Sequence, residues 1–305
     1  MLNNKNNPVL IPADVPPDKE WEYSHNYKEI TKGSGRLMLF AGDQKIEHMN
    51  GDFFGPGIAS EDNDPEHLFK IASKANIGAF ATQLGLIAKY GKNYKNIPYI
   101  IKLNSKTNLI PSSELEPFSE LLWTIEQVSE FKRQSGLKIC GVGYTLYPGS
   151  QFESEMLKTA AQVIFQAHQK GLVVVLWIYP RGQAIKEELD PHLVAGCAGI
   201  GACLGADFLK VNAPQAPGKQ LKEIFAEAVK AAGRSKIICA GGQTCDEKEF
   251  LTTLKEQLEA GAMGNATGRN IHQKPLEEAI KFCNAIYALV IEGKSVAEAL
   301  KLLSK

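Results

Sequence analysis

Past residue 35, short apolar runs rich in β-branched residues alternate with longer segments of helical period. Read as strands, the runs are RLMLFAGD (36–43), GAFATQLG (78–85), IPYIIKLN (97–104), LKICGVGYTLY (137–147), LVVVLWIY (172–179), ADFLKVNA (206–213), KIICAGG (236–242) and GAMGNATG (261–268). Helical segments fall between most of them. Phe118, Leu121, Leu122, Ile125 and Val128 share one face of a helix expected over 118–133. Met156, Ala160, Val163 and Ala167 form a stripe in a helix that stops at Gly171. Further helices fit 65–75, 190–204, 218–232, 246–260 and 275–291. The link after the second strand, LIAKYGKNYKN, suits a short helix or a loop. A last helix opens with the Ser295–Glu298 spacing of a capping box.

Strand–helix alternation implies an α/β fold with a parallel sheet covered on both faces. Eight such units predict a (β/α)8 TIM barrel. An open doubly wound sheet is the alternative. It would carry a Gly-rich phosphate turn after its first strand, and AGDQKIEH is not GxGxxG. Residues 1–35 read as an N-terminal extension packed on the barrel or on a neighbouring subunit. Residues 36–305 read as one barrel domain.

In such barrels the active site lies at the C-terminal ends of the strands. Asp43 ends the first run, and His48 follows in its loop. Lys102 is near the end of the third, and Tyr144 and Tyr147 are late in the fourth. Trp177, Tyr179 and Arg181 end the fifth. Lys210 interrupts the sixth. A strand lysine can reach the mouth and pair with a carboxylate. Facing inward, it loses hydration, which favours the neutral amine, and Lys102 as a second cation acts the same way. A neutral amine attacks a carbonyl to form an imine, an electron sink for breaking or making a carbon–carbon bond. Tyr179 and Asp43 are the candidate proton shuttles, although core packing suits the tyrosine and a helix N-cap suits the aspartate. Gly241, Gly242 and Gly268 let backbone N–H groups approach an anion, and Arg269 supplies a guanidinium fork.

Composition narrows the class. The 305 residues are 44% hydrophobic and 22% charged with zero net charge, which gives no global pull toward nucleic acid or acidic membranes. No apolar run approaches the ~20 residues of a membrane span. The N-terminus lacks the pattern of a signal peptide, so a cytoplasmic location is expected. Six cysteines without CxxC spacing and six scattered histidines predict neither a disulfide scaffold nor a metal site.

Seven stretches (GDQKIEH, KLN, VGYTLYPGS, LWIYPRG, DFLKV, AGGQT and GNATGRN) together resemble the archaeal-type class I fructose-bisphosphate aldolases, in order and approximate spacing, over about residues 36–290. The most specific feature is WxYPRG followed about thirty residues later by the strand lysine. The resemblance implies a metal-independent, cofactor-free lyase of glycolysis and gluconeogenesis. It would split fructose 1,6-bisphosphate reversibly into dihydroxyacetone phosphate and glyceraldehyde 3-phosphate, working as a homo-oligomer with a phosphorylated sugar as its partner. It implies Lys210 as the Schiff-base lysine, Tyr179 as proton donor and acceptor, and Asp43 as the first-strand carboxylate. Lys102, Trp177, Arg181 and His48 fall on the substrate side. Gly241, Gly242, Gly268 and Arg269 fall where the family binds phosphate.

The chain departs from the family pattern at Lys45 and Met49 in the first loop, at Ala240 before the glycine pair, and at Asn212. The alternatives are a related lysine-dependent transaldolase-like synthase, such as aminodideoxyheptulosonate synthase, and a non-catalytic phosphosugar-binding barrel. Relatives of the synthase type tend to carry Met at the position of Trp177.

Overall fold

In the computed structural model, which describes residues 9–304, all eight runs form strands. They are β1 (Leu37–Ala41), β2 (Ala79–Gln83), β3 (Tyr99–Lys102), β4 (Ile139–Leu146), β5 (Val173–Ile178), β6 (Phe208–Val211), β7 (Lys236–Ala240) and β8 (Gly264–Thr267). Every neighbouring pair is parallel, and β8 returns to pair with β1. The protein is a closed (β/α)8 barrel. The strands are apolar and largely buried because each faces the barrel interior on one side and a helix on the other. Among the described residues, no helix is long and apolar enough to cross a membrane.

Most helices fall where the periodicity puts them: Glu66–Lys74, Glu153–Gln169, Pro191–Leu204, Leu221–Ala232, Glu247–Glu259 and Leu276–Val290. The link after β2 is a seven-residue helix, Leu84–Tyr90. The expected helix over 118–133 is shorter, Ile125–Ser135. Thr124 starts it with a capping box to Gln127. Upstream, Leu121 bridges to Asn104, and the N–H groups of Leu122 and Trp123 donate to the Leu103 carbonyl. Backbone donors committed to the segment that follows β3 cannot also form a helical turn, so the apolar spacing of 118–122 is not helical.

Two apolar clusters hold the fold. One fills the space between barrel and helices, and the other fills the barrel itself, from Leu37, Ala79 and Ile100 to Trp177, Phe208 and Ile238. The helix Glu20–Thr31 closes the N-terminal mouth. Tyr23 and Ile30 join the interior cluster, Tyr27 stacks on Phe208, and the Asn26 amide donates to the Gly171 carbonyl at 2.7 Å. Gly171, at φ +66°, turns the chain into β5, and a side chain there would press on Glu22 and Tyr23.

A buried polar cluster pins this closure. His168 is fully buried; its Nδ1 lies 2.9 Å from Asp14 and its Nε2 lies 3.2 Å from Asp207. Asp207 also accepts from the Tyr23 hydroxyl and from the Val174 N–H. Burial alone would depress the imidazole, but the hydrogen bonds and charges of Asp207 and Asp14 outweigh it and raise its pKa from 6.5 to about 9. The raised value sets the sign: the stabilisation is complete below pH 6.5 and is lost as pH rises through about 9. Denaturant melts should therefore show stability falling across that window by on the order of 2–3 kcal/mol, a slope absent from His168→Gln.

Candidate active site

The register aligns the chemistry in one layer near the C-terminal mouth. Lys102 ends β3 and pairs with Gly143 of β4, and Trp177 of β5 pairs with Lys210 of β6. Phe208 fills the barrel interior, and two-residue periodicity turns Lys210 to the same face. Lys210 is 6% exposed and Lys102 is 0% exposed, so both amines are out of bulk solvent. Their nitrogens lie 5.2 and 5.3 Å from the centroid of the Trp177 ring. The indole lies against β4 at Gly143, where any Cβ would enter the ring.

The two lysines are held differently. Lys102 donates to the Asn104 carbonyl at 2.8 Å. Asn104 is itself fixed by the Ser119 and Thr145 carbonyls and the Thr145 N–H. Among the described residues, no hydrogen bond or ion pair holds the Lys210 nitrogen. Burial lowers the pKa of both lysines, while the Asp43 and Glu47 carboxylates pull them back up; the charges of Lys102 and Arg269 lower Lys210 further.

Asp43 and Glu47 come from the loop after β1. The chain leaves the barrel at Gly42, whose carbonyl accepts from Thr82, and the Asp43 carbonyl accepts from Gln83. Asp43 precedes a one-turn helix, Gln44–Glu47, but its side chain caps nothing. Asp43 thus occupies the N-cap position without capping, and one of its buried carboxylate oxygens has no partner among the described residues. Glu47, four residues on, shares its side of the turn. Its Oε1 accepts from the Ser105 hydroxyl at 3.3 Å. Met49, one of the departures in this loop, adopts the left-handed φ of +55° that normally favours glycine.

Tyr179 follows β5 beside Tyr147. Burial and the charges of Glu47 and Asp43 hold both phenols well above the usual tyrosine value, so each stays protonated. The Arg181 guanidinium sits 5.6 Å from the Tyr147 ring centroid and 5.8 Å from that of Tyr179, with both forks on Glu188. Tyr144 points elsewhere, its hydroxyl 3.4 Å from the Ser119 carbonyl.

At the ends of β7 and β8, Gly241 packs on Thr267, and Gly242 turns with φ +69°. Gly268 packs on Gln44 and the Ala41 carbonyl. Arg269 donates to the Gly242 carbonyl at 3.0 Å, and its Nε lies 3.7 Å from Asp52. Asp52 is in turn 2.7 Å from His48 Nδ1. His48 thus sits with the β8 arginine and not with the lysine pair. Asn270 braces the β7 loop through the Gly241 and Gln243 carbonyls.

Glu47, Asn104, Asn270 and Glu188 are the site residues that the sequence reading missed. Glu47, Asn104 and Asn270 lie inside the stretches GDQKIEH, KLN and GNATGRN without being singled out there, and Glu188 lies in none of them. Together the groups form an unpartnered amine, a second cation, two carboxylates and a phenol around one cavity mouth. That set can add an amine to a carbonyl and move protons on the adduct.

The sequence model of the DeoC/LacD family of aldolases matches residues 37–274. The chain belongs to this aldolase family. A fructose-bisphosphate aldolase/6-deoxy-5-ketofructose 1-phosphate synthase of Methanocaldococcus jannaschii is 57% identical over 299 residues, covering 98% of this chain and 95% of the relative. The solved fructose-bisphosphate aldolase of Slackia heliotrinireducens is 50% identical, covers 97% of this chain and 94% of its own, and superposes with a TM-score of 0.95. An archaeal fructose-1,6-bisphosphate aldolase, solved with its catalytic lysine bound to the carbinolamine of the substrate, is 33% identical. It covers 88% of this chain and 99% of its own, with a TM-score of 0.75. Aldolase chemistry is thus the activity of the family, and the archaeal class I enzymes are among its relatives.

The Gly143–Trp177 contact is testable. Gly143→Ala should displace the indole that both lysines face. It should cost about 1–3 kcal/mol in a denaturant melt and change the Trp fluorescence of the folded protein. An unchanged melt and spectrum would contradict the packing.

Proposed function

We propose that the protein is a metal-independent class I aldolase that cleaves and forms fructose 1,6-bisphosphate through a Schiff base on Lys210. The observation that carries this reading is the Lys210 nitrogen, buried in the barrel mouth with no hydrogen-bond partner among the described residues. A desolvated amine beside a second cation is neutral at a pH where exposed lysines are charged, and only the neutral form is a nucleophile.

In this reading the Lys210 nitrogen attacks the ketone at C2 and gives a carbinolamine. Loss of water, its oxygen protonated through Tyr179, leaves the iminium. The C4 hydroxyl gives its proton to a base in the mouth, where Asp43 and Glu47 are the carboxylates at hand. The C3–C4 bond breaks, its electron pair enters the iminium, and the aldehyde leaves. Tyr179, whose raised pKa lets it take that proton back from the carboxylate, protonates the enamine at C3. Water then releases dihydroxyacetone phosphate and frees the amine. Lys102 and the Trp177 face hold the cavity around C2, and the β7–β8 glycines with Arg269 bind the phosphate of the ketone half. Among the described residues, no three His, Cys, Asp or Glu side chains are arranged to hold a metal ion, and the iminium on Lys210 is the electron sink in this proposal. The homo-oligomeric assembly, the glycolytic and gluconeogenic setting and the cytoplasmic location are carried over from the resemblance.

A second reading has a specific observation in its favour. The 57% identical relative is also named a 6-deoxy-5-ketofructose 1-phosphate synthase. A 6-deoxy, 1-phosphorylated product carries phosphate at one end alone. The same Lys210 chemistry would then join dihydroxyacetone phosphate to an aldehyde without phosphate.

Borohydride reduction in the presence of dihydroxyacetone phosphate should trap one adduct, on Lys210. Lys210→Ala should lose turnover by about three orders of magnitude or more. Tyr179→Phe should slow turnover yet still form the adduct. EDTA should leave the rate unchanged. Full activity in Lys210→Ala would end the proposal.

A further inference from the structure

The two arginines of the mouth are held with unequal firmness. Arg269, after β8, makes one long contact with a carboxylate, its Nε 3.7 Å from Asp52. Arg181, after β5, is committed: its Nε and Nη2 donate to the two oxygens of Glu188 at 2.9 and 2.8 Å. This is a bidentate fork, the strongest geometry an arginine has for a carboxylate or a phosphate. The loop carrying Glu188 is anchored, because Asp190 caps the next helix through the His192 and Leu193 N–H groups. Glu188 also lines an open cleft of about 580 Å³ with Glu187, Asp190 and Gln215. Two further acidic side chains on that cleft oppose a phosphate approaching from its side. Among the described residues, the nearby Lys106 ammonium is held by neutral oxygens alone, at 2.8 Å from Asn108 and 3.1 Å from the Thr107 carbonyl.

Arg181 lies three strands round the barrel from Arg269. With the ketone phosphate at β7 and β8, the aldehyde half of the cleft falls toward β5. We infer that Glu188 is a specificity-determining residue, which neutralises Arg181 so that the aldehyde end accepts short aldehydes without a phosphate as well as phosphorylated ones. This rests on the lysine-aldolase reading and deepens it. A free guanidinium fork in the mouth would reward a phosphate dianion, and a neutral aldehyde would leave it desolvated and unpaired. With Glu188 in place, a neutral aldehyde leaves the Arg181 guanidinium paired. A phosphate gains only what Lys106 offers, or must displace the carboxylate from both forks.

The test is aldol addition of dihydroxyacetone phosphate to glyceraldehyde 3-phosphate and to unphosphorylated glyceraldehyde, in the wild type, Glu188→Gln and Glu188→Ala. In both variants the ratio of kcat/KM, phosphorylated over unphosphorylated, should rise about three- to tenfold. The change should lie in KM for the phosphorylated aldehyde, with the kcat ratio steady. A structural role alone would lower both substrates together. An unmoved or falling ratio in the conservative Glu188→Gln overturns the inference. Borohydride trapping of dihydroxyacetone phosphate on the wild type separates the two levels. With an adduct and an unmoved ratio, Glu188 alone loses its role; with no adduct, the lysine-aldolase reading fails and takes this inference with it.

Discussion

Removal of one amine from water is the constraint on which the site depends. An ammonium inside a barrel is costly unless it is paired, and buried Lys210 has no pairing partner among the described residues. Its neighbours set the balance. Burial, Lys102 and Arg269 push toward the neutral amine, while Asp43 and Glu47 limit how far that goes. The Trp177 face stands between the two lysines. It gives either nitrogen a favourable contact when charged without fixing it in a hydrogen bond. The amine is therefore held in place and left free to react.

The rest of the barrel keeps that arrangement stiff. Closure of eight strands fixes the register that sets Lys210 beside Trp177 and Lys102 beside Gly143. The opposite mouth is sealed by the helix Glu20–Thr31 and by the Asp14–His168–Asp207–Tyr23 cluster, where every charge has a partner. The two ends use opposite rules. Buried ionisable groups at the N-terminal end are fully satisfied and serve the fold. Those at the C-terminal end include an orphan carboxylate oxygen on Asp43, an orphan indole N–H on Trp177 and an unpartnered amine. Unsatisfied groups gathered at one mouth mark where a ligand supplies the missing bonds.

The strands were legible in the sequence because a parallel strand buried on both faces reads as an unbroken apolar run, and a lysine inside one stands out. Lys210, Lys102 and Trp177 were visible for that reason. The helix expected from residue 118 failed where local chemistry beat periodicity: the Thr124–Gln127 box sets the start, and the preceding donors bond to Leu103, just past β3. Loop residues were less legible. A glutamate such as Glu47 or Glu188 looks like a solvated charge until the loop folds back over the mouth. His48 and Arg269 were placed at the correct end of the barrel, but Asp52, which joins them, left no mark in the sequence.

The central claim concerns the charge of one nitrogen, and its titration is the direct measurement. NMR of ¹³Cε-labelled lysine in the ligand-free protein, with Lys210 assigned by its loss in Lys210→Ala, reports that pKa. The account predicts a midpoint clearly below the ordinary lysine value of 10.5 and below those of the exposed lysines. A Lys210 that titrates at or above that value would be a buried, stabilised cation, and the chemistry assigned to it would not hold.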